Sequence, residues 1–427
     1  MKAAIVGGGW AGIAAAVALA DAGHDITVFE MAPQLGGRAR SVAGQDATRP
    51  YDNGQHILIG AYRDSLALMR RLGVDPDAAL MRLPLALPYP GEPGLRLPPG
   101  APLASFTRGV LAQRGWPLGA RLGLLAAAAG WLARGFRCDA AHSVAALCAG
   151  LPPAVRRDLV EPLCVAALNT PARDASAQVF LRVLRDALFS GAGSADLLLP
   201  RRPLSELLAT PAAAWLGGRL RLGARVQRLE PGWRVDGEAF DAVVLACTSV
   251  EAARLTAGIA PGWSATAAAL RFEPIVTVYL HSPGSTLPAP MLALRDGPDA
   301  PAQFVFDHGQ LGGTPGRFAF VVSGAAPWVA RGGCAEAVRA QALRELRWAT
   351  PPVVARMLTE KRATFACTPG LARPPACIAP GLWAAGDYVA GPYPATLEGA
   401  VRAGLAAAQG VGTAAKGAAS GSPTNTP

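Results

Sequence analysis

The N-terminal stretch Lys2-Ala3-Ala4-Ile5-Val6-Gly7-Gly8-Gly9-Trp10-Ala11-Gly12-Ile13, with Glu30 closing the next apolar run, decides the fold class. Lys2 to Val6 reads as a short buried strand, Ile13 to Ala22 as an alanine-rich helix, and Ile26 to Phe29 as a second strand. Gly7, Gly9 and Gly12 make the pattern GxGxxG at the first strand-to-helix turn. Gly7 allows the tight turn, Gly9 lets backbone N–H groups approach a pyrophosphate, and Gly12 lets helix and strand pack closely. The helix N-terminus then faces the diphosphate, with Trp10 and Ala11 of the glycine turn as further expected cofactor contacts. The Glu30 carboxylate is placed to accept hydrogen bonds from an adenosine ribose. Strand, glycine turn, helix, strand and acid in this order predict a dinucleotide site on a Rossmann-like α/β domain.

Bulk properties narrow the class. A chain of 427 residues, half of them hydrophobic and only 16% charged, is long enough for two or three domains with sizeable cores. The net charge of +10 comes from arginine, since lysine occurs only at Lys2, Lys361 and Lys416. The arginines are scattered and lack the interleaved aromatics of a nucleic-acid surface, so no nucleic-acid partner is expected. An anionic membrane surface or a diphosphate explains the charge better. Seven cysteines without a CxxC pair and five isolated histidines point to buried thiols in a reducing cytoplasm and to no metal site. Lys2 and the apolar run after it imitate a secretory signal, but the glycine trio interrupts that run and supplies the dinucleotide site, so export is rejected. No run suits a transmembrane helix.

Further along, residues 84–105 read as a Pro/Gly-rich loop or hairpin. Residues 103–137 turn helical, with Leu122, Leu124, Leu125, Trp131 and Leu132 set among Arg108, Arg114, Arg121, Arg134 and Arg137. This segment suits either a membrane interface or the buried helix of a cap. Residues 142–210 read as further helices, including Ala177 to Phe189. Strands follow at 219–226 and 241–247, then antiparallel ones at 275–280, 303–306 and 318–323. A helix near 334–349 and a strand at 361–365 come next. The chain closes on Gly381-Leu382-Trp383-Ala384-Ala385-Gly386-Asp387 and a helix from about Thr396. The expected division is therefore a dinucleotide domain in three pieces (1–83, 211–258 and 366–411), a mainly helical cap at 84–210, an antiparallel-sheet substrate domain at 259–365, and a disordered tail at 412–427.

Gly36-Gly37-Arg38, just after Glu30, offers exposed backbone N–H groups and a cation for a phosphate. This motif, the first glycine turn and the Ala385-Gly386-Asp387 ending together resemble the FAD-dependent amine oxidase and phytoene desaturase superfamily. The resemblance implies FAD as cofactor. It implies that Asp387 binds the flavin ribityl chain and that the helix opening at Thr396-Leu397 points at the flavin pyrimidine, where its dipole favours the anionic reduced ring. It also places Val226 at the adenine, and the Asp52-Asn53-Gly54-Gln55-His56 turn beside the flavin.

Leu168-Asn169-Thr170-Pro171, Ala175 to Leu184, Lys361 to Phe365 and Tyr393 to Ala400 narrow the likeness to the squalene-associated desaturases, the hydroxysqualene dehydroxylase family of bacterial squalene and hopanoid synthesis. The implied substrate is hydroxysqualene, a hydrophobic isoprenoid, with peripheral contact at the inner face of the cytoplasmic membrane as an accompanying expectation. Carotenoid or phytoene desaturation, amine oxidation and a non-catalytic prenyl-lipid carrier remain alternatives. The candidate proton donors are His56, Tyr388 and Tyr393. Glu161 and Asp186 stand behind them as solvated or ion-paired residues, and Lys361 either sits beside the flavin N5, as the resemblance to amine oxidases implies, or forms a surface pair with its charged neighbours.

Overall fold

In the computed structural model, which describes residues 1–44 and 50–420, the glycine-marked unit forms as the sequence predicts. Strand β1 (Lys2–Val6) enters helix α1 (Trp10–Asp21) through the glycine turn and returns in β2 (Asp25–Glu30). Alanine dominates α1, and nearly every side chain on it is buried, because the helix is sandwiched between the sheet and another helix. β3 (Leu220–Leu222), β4 (Ala242–Leu245), β10 (Cys377–Ala379) and β11 (Leu382–Ala384) complete a six-stranded sheet in the order β3-β2-β1-β4-β11-β10. All pairings are parallel except β10 with β11. The connection from β1 leads outward to β2, whereas β4 lies on the other side of β1. That reversal opens a crevice at the carboxyl ends of the strands, where doubly wound sheets take their ligands.

A second sheet supplies the opposite wall. β5 (Phe272–His281), β6 (Met291–Ala293), β7 (Phe304–Asp307), β8 (Arg317–Val322) and β9 (Val353–Phe365) are antiparallel in the order β6-β7-β8-β5-β9. β9 starts eight residues before the strand expected at 361–365. Its first nine residues alternate in exposure, the period-two signature of a strand with one face to water. Outside the two sheets, helices α3 (Pro102–Ala112), α4 (Leu118–Ala133), α5 (Glu161–Leu168) and α6 (Ala177–Phe189) form a helical layer, and α2 (Arg63–Arg71) packs against the last helix of the chain. α6 has the expected bounds, and the expected hairpin within 84–105 pairs Ala86–Tyr89 with Glu92–Arg96.

Two expectations need correction. Residues 142–210 are not helical throughout: Leu197–Pro200 is a buried strand paired with Leu80–Leu83 and Leu58–Ile59. Four apolar residues ending in proline carry no periodicity that separates a strand from a buried helical turn. The chain also does not lose structure at 412. The last helix, α7 (Leu397–Ser420), runs past it, and residues 421–427 lie outside the described residues.

α7 reaches its place by crossing α1 at a glycine. A β-carbon on Gly404 would lie 2.2 Å from the carbonyl oxygen of Ala11, and one on Gly12 would lie 1.9 Å from that of Gly7. Neither contact can be relieved by a flexible side chain, because both partners are backbone. Gly12→Ala and Gly404→Ala are each expected to destabilise the protein by about 1–3 kcal/mol through overpacking. Gly119→Ala, at an exposed helical position with nothing within 4 Å, serves as control and leaves stability unchanged or slightly raised. Urea-unfolding midpoints of the three variants measure this.

Candidate active site

The crevice holds a cavity of about 620 Å³. That lies within the about 300–1000 Å³ of an ordinary small-molecule pocket, and its lining runs from the glycine turns to the antiparallel sheet.

Its dinucleotide half is built by backbone. Gly7 adopts φ +113°, the turn conformation that a side chain would strain. The glycine turn and the Gly36-Gly37-Arg38 turn are one structure: Gly36 N–H donates to the Gly8 carbonyl at 2.9 Å. A β-carbon on Gly37 would come within 3.2 Å of Gly9 Cα. Gly9 caps α1 in extended conformation with no side-chain hydrogen bond, which leaves the first N–H groups of the helix for an anion. Glu30 is buried, and its carboxylate accepts from the backbone N–H of Gly8 and of Ala32, both at 2.7 Å. The acid is thus fixed beside the turn by the same chain segment that forms it.

Of the fifteen residues expected to bind the cofactor, fourteen line this cavity: Gly7, Gly9, Trp10, Ala11, Glu30, Gly36, Gly37, Arg38, Gly54, Val226, Gly386, Asp387, Thr396 and Leu397. Gly12 does not; it lies under the turn as the packing glycine. The wall also holds the Trp10 indole N–H and the Tyr388 hydroxyl, both sealed from solvent and without a hydrogen-bond partner among the described residues. Backbone donors at a helix N-terminus, a ribose-height carboxylate and a cation fit an adenine dinucleotide.

Arg38 does more than the sequence indicates. It reaches from the first glycine region to the last, donating to Asp387 Oδ1 at 2.7 Å and to the Ala363 carbonyl at 2.7 Å. The Asp387 carboxylate raises its pKa above the usual arginine value against the opposing effect of burial. Two motifs 349 residues apart in sequence are thereby tied across the cavity.

The loop between β11 and α7, which carries Asp387, is held by a residue that no motif marks. Arg373 donates to five carbonyls of that loop: Tyr388 (3.2 Å), Gly391 (3.0 Å), Tyr393 (2.7 Å), and Asp387 and Val389 through Nη2. Its guanidinium also lies 4.5 Å from the centre of the Phe365 ring. Only the planar fork of arginine can satisfy so many acceptors at once. Glu398 fixes the far end of the same region. Buried in the first turn of α7, it accepts from the backbone N–H of Asp64 and Ser65, from the Ser65 hydroxyl and from Arg402, and so caps α2.

The candidate proton donors separate in space. His56 lines the cavity in the turn between the dinucleotide half and the antiparallel sheet. Its Nε2 is 3.4 Å from the Asn53 carbonyl oxygen, and burial pulls its pKa down to about 4. The ring is therefore neutral at pH 7. Tyr388 also lines the cavity, and burial raises its pKa well above the phenol value. Tyr393 is not among the lining residues. Its hydroxyl is held by Arg182 Nη2 at 2.7 Å and by Arg402, bridging α6 to α7. Of the residues behind them, Asp186 pairs with Arg182 at 2.9 Å, Lys361 is exposed on β9, and Glu161 is exposed at the start of α5.

The substrate half is walled by Val183 of α6, from the 175–184 stretch, and by residues that sequence reasoning did not single out, including Ala166 of α5, Ile275 of β5, Phe304 and Phe306 of β7 and Leu358 of β9. Asn169, at the end of α5 in left-handed conformation (φ +49°), closes this wall. It donates to the Glu273 carbonyl and the Thr364 hydroxyl and accepts from Gly324 N–H.

Residues 10–412 match the family described as flavin containing amine oxidoreductase. The chain belongs to that family. FAD is accordingly its cofactor, and the residues of the cradle fit it. Over its length the chain is similar to the hydroxysqualene dehydroxylase of Rhodopseudomonas palustris (29% identity, 95% of this chain and 96% of that one) and of Sinorhizobium fredii (26%, 95% and 96%). Its fold is that of an oxidoreductase from Methanosarcina mazei, with a TM-score of 0.73 at 15% identity over 96% of this chain and all of the other.

Two predictions follow from the electrostatics. Arg373→Lys leaves most of the five carbonyls unpaired, and FAD affinity is expected to fall by about tenfold or more, equivalent to about 1.4 kcal/mol. A fluorescence titration of the flavin-free protein reads it, with unchanged far-ultraviolet circular dichroism as the folding control. The second concerns pH. His308, like His56, is held at a pKa of about 4 by burial, below its unfolded value. Between about pH 6.5 and 4 the unfolded chain therefore binds more protons at these two sites, and stability falls as pH falls. Asp52, raised by burial to about 6, acts in the opposite sense below that pH but offsets only one of the two protons. His308→Asn is expected to flatten the decline in unfolding free energy by up to about 1.4 kcal/mol per pH unit.

Proposed function

We propose that this flavoprotein removes the hydroxyl group of hydroxysqualene by reduction, releasing squalene and water. The observation that carries this reading is the apolar substrate half of the cavity, in a chain similar over its full length to hydroxysqualene dehydroxylases. In the reaction a C–O bond breaks and a C–H bond forms at the same carbon, and the departing hydroxyl takes up one proton to become water. Reduced FAD, when bound, supplies the hydride.

The chain's own residues do the rest. Arg38, Asp387 and the α1 N-terminus would bind the cofactor's polar length, with Glu30 at the ribose and Val226 at the adenine. Phe304, Phe306, Val183 and Leu358 exclude water from the carbon that gains positive character as its hydroxyl leaves. The proton is assigned to Nε2 of His56. With a pKa near 4 the cationic ring is a minor species at neutral pH but a strong acid when formed. Tyr393, held outside the cavity by two arginines, positions α6 against α7.

Anaerobic incubation of the dithionite-reduced holoenzyme with hydroxysqualene is expected to yield squalene by gas chromatography and mass spectrometry. A bound, reduced flavin that yields none overturns the reading; oxidation of phytoene or of an amine by the oxidised protein would replace it. The His56 assignment predicts a rate that rises about tenfold per unit as pH falls from 7 to 5, following the cationic fraction. His56→Ala should remove that dependence while retaining the flavin spectrum. A flat profile in the unsubstituted protein removes His56 from the role.

A further inference from the structure

Helices α3 and α4 are packed on one face only. α4 buries Ala120, Leu124 and Trp131, yet its exposed residues Leu118, Leu122, Ala126, Ala129, Leu132 and Ala133 form a second stripe at helical spacing without a polar side chain. A helix apolar all round is ordinarily buried all round. Here half of it faces outward. Leu103 and Leu111 of α3 add to the same hairpin, which holds five of the eleven large hydrophobic side chains exposed among the described residues.

Charge accompanies this surface. From Pro93 to Cys138 the chain has no aspartate or glutamate, whereas it has six arginines: Arg96, Arg108, Arg114, Arg121, Arg134 and Arg137. All but Arg121 are exposed. Elsewhere arginines are commonly paired with neighbouring acids, as at Arg71–Asp21, Arg221–Glu238 and Arg254–Glu251. The hairpin has no acid of its own to answer its cations.

Its inner side is equally apolar. Phe106 of α3 and Leu124 and Trp131 of α4 line a second cavity, whose lining side chains are all hydrophobic. Leu163 and Leu184 form its far side, and the neighbouring Ala166 and Val183 on the same two helices line the main cavity. No helix among the described residues is long and apolar enough to cross a membrane, and α4 at sixteen residues is about 24 Å long.

We propose that the α3–α4 hairpin docks on the surface of an anionic lipid bilayer, lying in the interface with its leucines among the acyl chains and its arginines at the phosphates. Hydrophobic burial and attraction to anionic headgroups then act together, as interfacial helices require. A nucleic acid would use the arginines and leave the leucine stripe in water. A second copy of this chain would bring six more arginines against these six. The bilayer satisfies both features. Docking does not depend on which substrate is reduced, and its test uses none.

The experiment is sedimentation of the FAD-loaded full chain with vesicles of phosphatidylcholine alone, or of phosphatidylcholine mixed with anionic phosphatidylglycerol. The expected result is binding to the anionic vesicles, weakened by about tenfold or more in the double variant Leu118→Glu/Leu122→Glu and reduced by salt. A second variant, Arg108→Gln/Arg114→Gln/Arg134→Gln, should lose the preference for phosphatidylglycerol while keeping the flavin spectrum and thermal midpoint. No sedimentation with anionic vesicles overturns the proposal. So does binding that the leucine variant leaves unchanged, or a dimer in light scattering that the same variant dissociates.

Discussion

Everything in the cofactor cradle depends on how close helix α1 lies to the turn that precedes it. With Gly12 directly against the Gly7 carbonyl, the helix N-terminus is carried to the mouth of the sheet and its free N–H groups face the crevice. Gly404 repeats the device on the opposite face, letting α7 cross α1 at backbone distance. The two contacts fix both ends of the site. α1 would receive the diphosphate, and α7, seated on α1, brings Thr396 and Leu397 to the wall of the same cavity. A β-carbon at either glycine would move one anchor relative to the other, so the cradle's length is set by two missing side chains.

The charges have a different task, which is to join chain segments that share no local structure. Arg38 reaches Asp387, Arg373 gathers five carbonyls of the loop that contains Asp387, and Glu398 caps α2 from the first turn of α7. Each uses a half-buried or buried group with several hydrogen bonds, where charge-assisted bonds are strongest and an unmade one is costly. The exposed pairs, such as Arg71 with Asp21, contribute little by comparison. Order in the 386–396 loop therefore rests on one guanidinium that makes no ion pair of its own with that loop.

These differences explain what could be read in advance. The glycine turns, Glu30 and the Arg38 turn are local: each residue's job is set by neighbours within about one strand–helix unit, so spacing alone exposes it. α6 is equally legible, because its apolar residues recur with a helical period between a serine cap and its end at Phe189. Leu197–Pro200 is not, since four buried apolar residues have no period. Arg373 is beyond any local reading, standing in a proline-rich loop whose meaning comes only from carbonyls 14 to 20 residues later. The substrate wall is assembled from five separate elements, and only Val183 and Asn169 fall in stretches that the sequence marks, with nothing local to show that they meet the others. Tyr393 shows the converse: a residue inside a legible motif whose partners, Arg182 and Arg402, draw it out of the cavity.

The neutral state of His56 and the apolar substrate wall have a single origin. In the proposed reaction a carbon gives up its hydroxyl as water, and a site for that step cannot also admit bulk water, which would capture the carbon before hydride does. Excluding water lowers the local dielectric, and a lowered dielectric disfavours a cationic imidazole. The acid that such a site can keep is one mostly unprotonated at neutral pH, and its strength when protonated compensates for its rarity. The same exclusion shapes access to the site. A substrate that suits a dry cavity is insoluble in water, and the hairpin that presents leucine and arginine outward has apolar walls behind it as far as α5 and α6. On the proposed function, chemistry at the flavin end and composition at the far surface answer one requirement: an apolar substrate that stays out of water from its source to its reduction.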